Sequence, residues 1–252
     1  MTSDERKQEI AKSVQEHGSV KVCELSEQYG VSEVTIRNDL QDLERKGLLS
    51  RIHGGAIYSY KPYYSMNLNQ RLEANQQQKV EIAQKISDMI EPDDTIMLNS
   101  GTTTLLAFRK FPAEYNLNIV TNSISIALEA SSNPHYNVIL IGGSVNTKYQ
   151  FTYGADAIMQ IRKYHADKLI LSVDGIDISS GFTTYYDKEV DIDTAMIEQS
   201  KTRIIAADNS KFRHSAFVRI SDLDVADKIV TNVHTDKLFL NELKELGIDI
   251  VI

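Results

Sequence analysis

Two short stretches of this chain carry residue types at spacings that could do chemistry. In VSEVTIRNDL, residues 31 to 40, Arg37 and Asn38 stand side by side, with Thr35 before them and Gln41 just after. An arginine can hold the O6 and N7 edge of guanine as a fork, and an asparagine the N6 and N7 edge of adenine, both from a helix laid in the major groove of DNA. The second stretch is Asn99-Ser100-Gly101-Thr102-Thr103-Thr104. A glycine and four hydroxyls at the start of a helix gather backbone N–H groups and side-chain donors around one point, which suits an anion such as phosphate. The same composition would also serve a helix that is simply well capped. The GxxxxGK[ST] and GxGxxG spacings are absent, so neither a nucleotide triphosphatase nor a dinucleotide enzyme is indicated and no cofactor is expected.

Arg37 and Asn38 need a helix to present them, and the flanking residues supply one. Ser32 can cap it, Ile36, Leu40 and Leu43 bury one face, and Thr35, Arg37, Asn38 and Gln41 are left facing outward. Leu25 and Tyr29 share the i, i+4 spacing of a shorter helix, and Gly30-Val31 makes a corner between the two, which together read as a helix-turn-helix. Upstream, Arg6, Ile10 and Val14 mark a first helix that Gly18 ends. Downstream, Gly47 stops the recognition helix and LLSRIHGGAIY alternates around Gly54-Gly55 as a hairpin wing. Arg51 and His53 fall on one side of its first strand and Leu48, Ser50 and Ile52 on the other, so a basic edge could meet phosphate or a minor groove. Asp39 is expected to partner a nearby arginine, because a carboxylate close to phosphate is repelled.

Charge alone would not find this domain. Residues 1 to 57 hold eight Lys and Arg against ten Asp and Glu, whereas DNA-binding domains are usually basic. The cations are clustered, however: Arg37, Arg45, Lys46 and Arg51 lie in and after the recognition helix, and Asp4, Glu5, Glu9 and Glu16 on the first helix. Few phosphate contacts per subunit are expected, so affinity would come from several subunits on repeated half-sites, a homo-oligomer. The whole chain of 252 residues has 27 Lys and Arg, 35 Asp and Glu, and 42% hydrophobic residues. No apolar run approaches the ~18 residues of a membrane span. A single cysteine, Cys23, allows no intrachain disulfide and no cysteine zinc site, and with no signal-peptide pattern at the N-terminus it points to a reducing cytoplasm and no metal. Beside Val22 and Leu25, Cys23 is expected to be a small buried hydrophobe.

Residues 58 to 72, YSYKPYYSMNLNQRL, have four tyrosines, a proline and no clean period; they read as a linker with parts docked on a domain. The domains are therefore 1 to 57, a winged helix-turn-helix, and 73 to 252. In the second, Val80, Ala83, Ile86 and Ile90 mark an amphipathic helix and Pro92-Asp93-Asp94 turns into TIML, a buried strand. TIMLNSGTTTLLAF, LNIVTNSISIALEA, NVILIGGSV, DKLILSVDGID, RIIAADNSKF and DKIVTN then repeat strand and helix, the pattern of an α/β domain with a mostly parallel sheet. Ligands bind beyond the carboxyl ends of such strands. Those ends are Asn99 to Thr104, Thr121 to Ser123, Gly142-Gly143, Asp174 to Asp177 and Asp208 to Lys211. Asp174, Asp177 and Glu189 are also carboxylates of the kind that abstract a proton beside a carbonyl.

The chain resembles the DeoR-type bacterial transcriptional regulators. The resemblance is carried by Arg6, Ile10 and Val14, by Ser32, Thr35, Ile36, Arg37, Asn38, Asp39 and Leu40, and by the LExxGLLxRxHGGA run ending at Ala56, and it extends over nearly all 252 residues. It implies a sensor half similar in fold to ribose 5-phosphate isomerase, with SGTTT, TNS, IGG, VDGID and ADNSK around a sugar-phosphate pocket. By that resemblance Ser100, Gly101, Thr102, Thr103 and Thr104 hold the phosphate, Thr121, Asn122, Ser123, Gly142 and Gly143 line the cleft, and Asp174, Gly175, Asp177, Glu189 and Lys211 meet sugar hydroxyls or the phosphate. Asn99 stands where many relatives have Asp, and Tyr185 and Tyr186 where they carry smaller polar residues. The expected function is repression of a carbohydrate operon, sugar, amino-sugar or polyol, relieved by a phosphorylated sugar. A ligand-dependent activator and a sugar-phosphate isomerase with a DNA-binding appendage are the alternatives. Binding and release are expected of the sensor and not turnover, since turnover would erase the signal and fold similarity does not carry activity.

Overall fold

A computed structural model of the chain describes residues 2–17, 19–45, 48–52, 54–58 and 66–252, which divide between Met66 and Asn67 into two compact units. Gly18, Lys46, Gly47, His53 and positions 59–65 of the expected linker lie outside the described residues, so the helix stops and the wing-tip histidine expected there have no counterpart below.

In the first unit α1 (Ser3–His17), α2 (Val22–Tyr29) and α3 (Glu33–Arg45) enclose one core of Ile10, Val14, Val22, Leu25, Ile36, Leu40 and Leu43. Gly30 ends α2 in the left-handed region, φ +64, and the Ser26 hydroxyl donates to the Val31 carbonyl at 2.6 Å, which closes the corner between the two helices. The strands β2 (Leu49–Ile52) and β3 (Gly55–Tyr58) pair antiparallel with Ile52 opposite Gly55. A third strand, β1 (Ser19–Lys21), pairs with β3 and makes the order β1-β3-β2. Three residues are too few for alternation to reveal them.

One expectation for this unit needs correction. Cys23 is exposed, not buried: Val22 and Leu25 face the core, and one residue is a turn of about 100° on a helix. On the wing it is Leu49 that is buried, at 1% exposure, while Leu48 and Ile52 stand out at 42% and 50%. The three-helix core covers only the start of β2, so Arg51, on the parity of Leu49, has already run clear of it.

The second unit begins inside the stretch expected as linker. Asn67 caps α4 (Leu68–Glu73) with a reciprocal capping box, Asn67 Oδ1 accepting from Gln70 N and Gln70 Oε1 from Asn67 N, both at 3.0 Å. In α5 (Gln76–Ser87) the buried face is Lys79, Ile82, Ala83 and Ile86; Val80 is exposed and Ile90 lies past the helix end.

Seven strands follow in one fully parallel sheet: β4 (Thr95–Leu98), β5 (Leu117–Thr121), β6 (Tyr136–Leu140), β9 (Ala166–Ser172), β12 (Ser200–Ala206), β14 (Lys228–Val230) and β15 (Asp249–Val251), in the order β15-β14-β12-β9-β4-β5-β6. Alternate residues face opposite cores: Met97, Leu169 and Leu171 belong to one cluster, Ile96, Leu98 and Ile170 to the other. Burial on both faces explains why the strands read as unbroken apolar runs. A hairpin of β7 (Ser144–Asn146) and β8 (Phe151–Tyr153), and a small antiparallel sheet of β10 (Gly175–Asp177), β11 (Gly181–Thr184) and β13 (Val218–Ser221), complete the strands. From β4 the chain moves outward through β5 and β6, then returns to lay β9 on the other side of β4. The strand order therefore reverses between β4 and β9, and the crevice beyond their carboxyl ends is where a sheet of this kind takes a ligand.

Candidate functional site

Two sites were expected, one in each unit. In the first, Ser32 accepts from Thr35 N at 3.2 Å, and the two hydroxyls lie 3.0 Å apart, so both residues fix the start of α3. Arg37 and Asn38, and then Gln41 and Arg45 three and four residues further on in turn, are exposed along one outward face of the helix. Each described basic group there has a carboxylate on it: Arg37 with Glu33 at 2.6 Å, Arg45 with Asp42 at 2.5 Å, and Arg51 with Glu44 at 2.8 Å. Glu44 also accepts from Arg51 N at 2.9 Å, tying the wing strand to the recognition helix. Asp39 is buried and accepts from Arg6 Nε at 2.7 Å, the structural partnership expected of it.

In the second unit the crevice between β4 and β9 is built from both strand ends. Asn99 follows β4 directly and clamps it to β9: its Nδ2 donates to the Ser172 carbonyl at 2.9 Å and its Oδ1 accepts from Ser172 N at 3.0 Å. Gly101 precedes α6 (Thr102–Phe108), and a Cβ there would stand 2.2 Å from Ser172 Oγ, so only glycine lets the loop lie against β9. Thr104 is fully buried, its hydroxyl donating to the Gly101 carbonyl at 2.6 Å.

A ladder of polar groups runs across the crevice. Ser100 Oγ donates to Glu189 Oε1 at 2.8 Å, and Glu189 stands on α7 (Asp187–Glu198). Thr184 Oγ1 lies 3.1 Å from Glu189 Oε2 and 3.3 Å from Asp174 Oδ2, bridging the two carboxylates. Asp174 also accepts from Tyr185 N at 3.1 Å, takes the Arg71 guanidinium at 2.7 Å, and lies 3.8 Å from the Lys211 ammonium. Burial opposes charge on Asp174, but Arg71, Lys211 and the two donors outweigh it and hold the carboxyl below its ordinary range. Glu189 goes the other way. Burial and then the Asp174 charge push it up to about 7, against the pull of Ser100, Arg71 and Thr184. One turn further on, Asp193 accepts from Asn99 Nδ2 at 3.3 Å and is raised well above the carboxylate range by burial and by Glu189.

The remaining expected residues divide into those at the crevice and those that build its walls. Ser100, Thr102, Thr103, Asp174, Glu189 and Lys211 are at the β4 and β9 ends or tied to them. Thr121 donates to the Leu98 carbonyl at 2.7 Å, and Ser123 caps a helix by accepting from Ile126 N at 3.3 Å; both hydroxyls serve the scaffold. Asn122 Nδ2 donates to the Thr152 carbonyl at 3.2 Å, Gly142 N to Gln160 Oε1 at 3.0 Å, and Gly143 lies against the Tyr153 carbonyl. Asp177 turns to the Ser179 amide and hydroxyl, and Gly175 is held within the small sheet. Tyr185 Oη is 2.9 Å from His214 Nε2, and burial and then Lys211 lower that imidazole to about 4. Tyr186 packs at 4.3 Å between ring centres on Tyr149.

Sequence reasoning missed Arg71, Lys79 and Asp193. Arg71 sat in the presumed linker. Lys79, 1% exposed, donates to the Arg71 carbonyl at 2.5 Å from a position that Val80 seemed to fill. Asp193 did have a signal: Glu189, Asp193 and Ile197 follow i, i+4, i+8 on one face of α7, and Ile197 is buried.

Residues 6–61 match the DeoR-like helix-turn-helix domain and residues 74–233 the DeoR C terminal sensor domain. Similar proteins include one from Escherichia coli O157:H7 whose name assigns it to repression of the aga operon, 31% identical over 99% of this chain and 94% of its own. The regulator IolR of Bacillus subtilis (strain 168) is 30% identical over 97% of both chains, and the repressor AccR of Agrobacterium fabrum is 31% identical over 93% and 91%. Ribose 5-phosphate isomerase A from Methanocaldococcus jannaschii has a TM-score of 0.40 at 12% identity over 55% of each chain, and a likeness that slight carries no argument about chemistry. The two domain matches and the full-length relatives establish that the chain belongs to the DeoR family of helix-turn-helix transcriptional regulators.

Proposed function

We propose that this protein represses a carbohydrate uptake and catabolism operon in the reducing cytoplasm, as a homo-oligomer, and leaves its operator when a phosphorylated sugar binds in the crevice between β4 and β9. The observation that carries this reading is the convergence of two cations, the largely covered Arg71 and the buried Lys211, on Asp174 across from the hydroxyl-rich loop at Ser100. Buried charges are costly unless they are paired or functional. Cations and hydroxyls suit a phosphoryl group, and carboxylates beside them can accept sugar hydroxyls. The name of the aga operon relative supports repression of an operon.

On the DNA side, Ser32, Thr35, Arg37, Asn38, Gln41, Arg45 and the wing residues Arg51 and His53 form the reading surface. Arg37 and Asn38 contact base edges, and Arg45 and Arg51 contact phosphate. Ligand favours one arrangement of the sensor, and that preference lowers DNA affinity by about 1 to 3 kcal/mol. Ser100→Ala combined with Thr102→Ala should leave operator binding intact and abolish release by the sugar phosphate; a double variant that still responds fully would remove the loop from the effector site.

Glu189 favours a second reading. A carboxyl raised to about 7 beside Asp174 has the properties of a general base, as in a sugar-phosphate isomerase. Incubating the protein with aldose and ketose phosphates and following interconversion separates the two: the regulator reading predicts none.

A further inference from the structure

We propose that Glu189 determines which charge state this crevice accepts: an anion settles beside Ser100 only when the Glu189 carboxyl takes up one proton, so ligand binding and proton uptake are a single event. The inference rests on the anion-site reading above. Both Glu189 oxygens are acceptors, from Ser100 Oγ at 2.8 Å and from Thr184 Oγ1 at 3.1 Å. A serine hydroxyl has one hydrogen, and that of Ser100 is given to Glu189. An incoming anion would find this donor already engaged and a carboxylate immediately behind it. A proton on Glu189 removes both obstacles. The carboxylic acid donates to Ser100 Oγ, the Ser100 hydrogen turns to the ligand, and the negative charge behind it is gone.

Among the described residues, the titratable groups around Glu189 do not take that proton instead. Asp174 is held ionised by Arg71 at 2.7 Å and Lys211 at 3.8 Å. Asp193 on the same helix, 2% exposed and accepting from Asn99, is pushed well above the ordinary carboxylate range by burial and by Glu189, so it favours its neutral form without Glu189's proton. His214, on the Lys211 side, is kept neutral by burial. Arg71 and Lys211 against Asp174 leave one net positive charge, Lys79 and Asp208 add one of each sign, and an ionised Glu189 would cancel what remains. The elevated midpoint of Glu189, about 7, places the exchange within the physiological range.

Sulfate is the probe, because its own charge does not change near neutral pH. Its affinity for the full chain should fall about tenfold for each pH unit above 7. Calorimetry at pH 8 in two buffers of different ionisation enthalpy should register close to one proton taken up per sulfate, and Glu189→Gln should bind with an affinity that does not vary with pH. The wild-type profile and the two-buffer measurement decide the matter even if that variant does not fold. If sulfate alone binds too weakly, the two-buffer measurement is made at pH 8 with the phosphorylated sugar that releases DNA, since a phosphate monoester is then fully ionised. Binding that is independent of pH, without proton uptake, overturns the proposal and leaves the anion site standing. Failure of sulfate and of every phosphorylated sugar to bind between pH 5 and pH 9 overturns the site and the proposal together.

Discussion

The two units of this chain manage charge in opposite ways. On the recognition helix and wing, Arg37, Arg45 and Arg51 stand in solvent, each on a carboxylate a few residues away. An exposed pair of that kind contributes at most about 1 kcal/mol and opens readily when phosphate is offered instead. In the sensor crevice Arg71, Lys211, Asp174, Glu189 and Asp193 are held by one another under cover. Removing one member there leaves its partner as an uncompensated buried charge. Under the proposed function, a surface that grips and releases a polyanion is built from weak, exchangeable pairs, while a pocket that registers one small ligand is built from a network that any change disturbs.

That contrast can be tested from its strong end downward. Asp174→Ala leaves Arg71 and Lys211 without their shared anion and should lower sensor stability by about 3 to 5 kcal/mol, read by denaturant unfolding. A loss no larger than that of a surface substitution would break the comparison. Glu189→Gln should act through pH. The folded carboxyl binds its proton up to about 7, the unfolded one only up to the ordinary 4.5 of a glutamate, so the wild type loses stability as pH rises through that window and Glu189→Gln does not. Above pH 7 the variant should be the more stable, by up to about 3 kcal/mol less what solvent at the half-buried carboxyl screens, and melting curves across pH 4 to 8 would show it.

The exposed end should respond differently. Arg37→Ala should cost about 1 to 3 kcal/mol of operator affinity and relax base preference, with stability unchanged. Glu33→Gln, which frees Arg37 of its partner, should change stability by less than about 0.5 kcal/mol and should not weaken DNA binding. A measured weakening would mean that the Arg37–Glu33 pair orients the arginine for the groove.

Much of this was legible in the residues, and the gaps have physical reasons. The recognition helix could be read because its pattern is local: Ser32, Ile36, Leu40 and Leu43 specify cap and face within twelve positions. The parallel sheet could be read because strands buried on both sides leave apolar runs ending in small polar residues. Arg71 could not, since its partner Asp174 is more than a hundred residues away and the helix carrying it is a turn and a half long. Cys23 was misjudged because neighbours in sequence, Val22 and Leu25, stood in for neighbours on a face. Among the strand ends, composition could not tell hydroxyls that face the crevice, such as Ser100, from those turned into the scaffold, such as Thr104 and Thr121.

The central claim is that the second unit reports a phosphorylated sugar to the first. The most direct measurement is fluorescence anisotropy of the full chain on DNA from upstream of its own gene cluster, at one fixed salt concentration because phosphate contacts make affinity salt-dependent. The titration is run with and without a panel of sugar phosphates and the corresponding free sugars. Binding that resists competitor DNA and is released by a phosphorylated sugar, but not by its free form, is the predicted result. Tight binding that no phosphorylated sugar alters would contradict it.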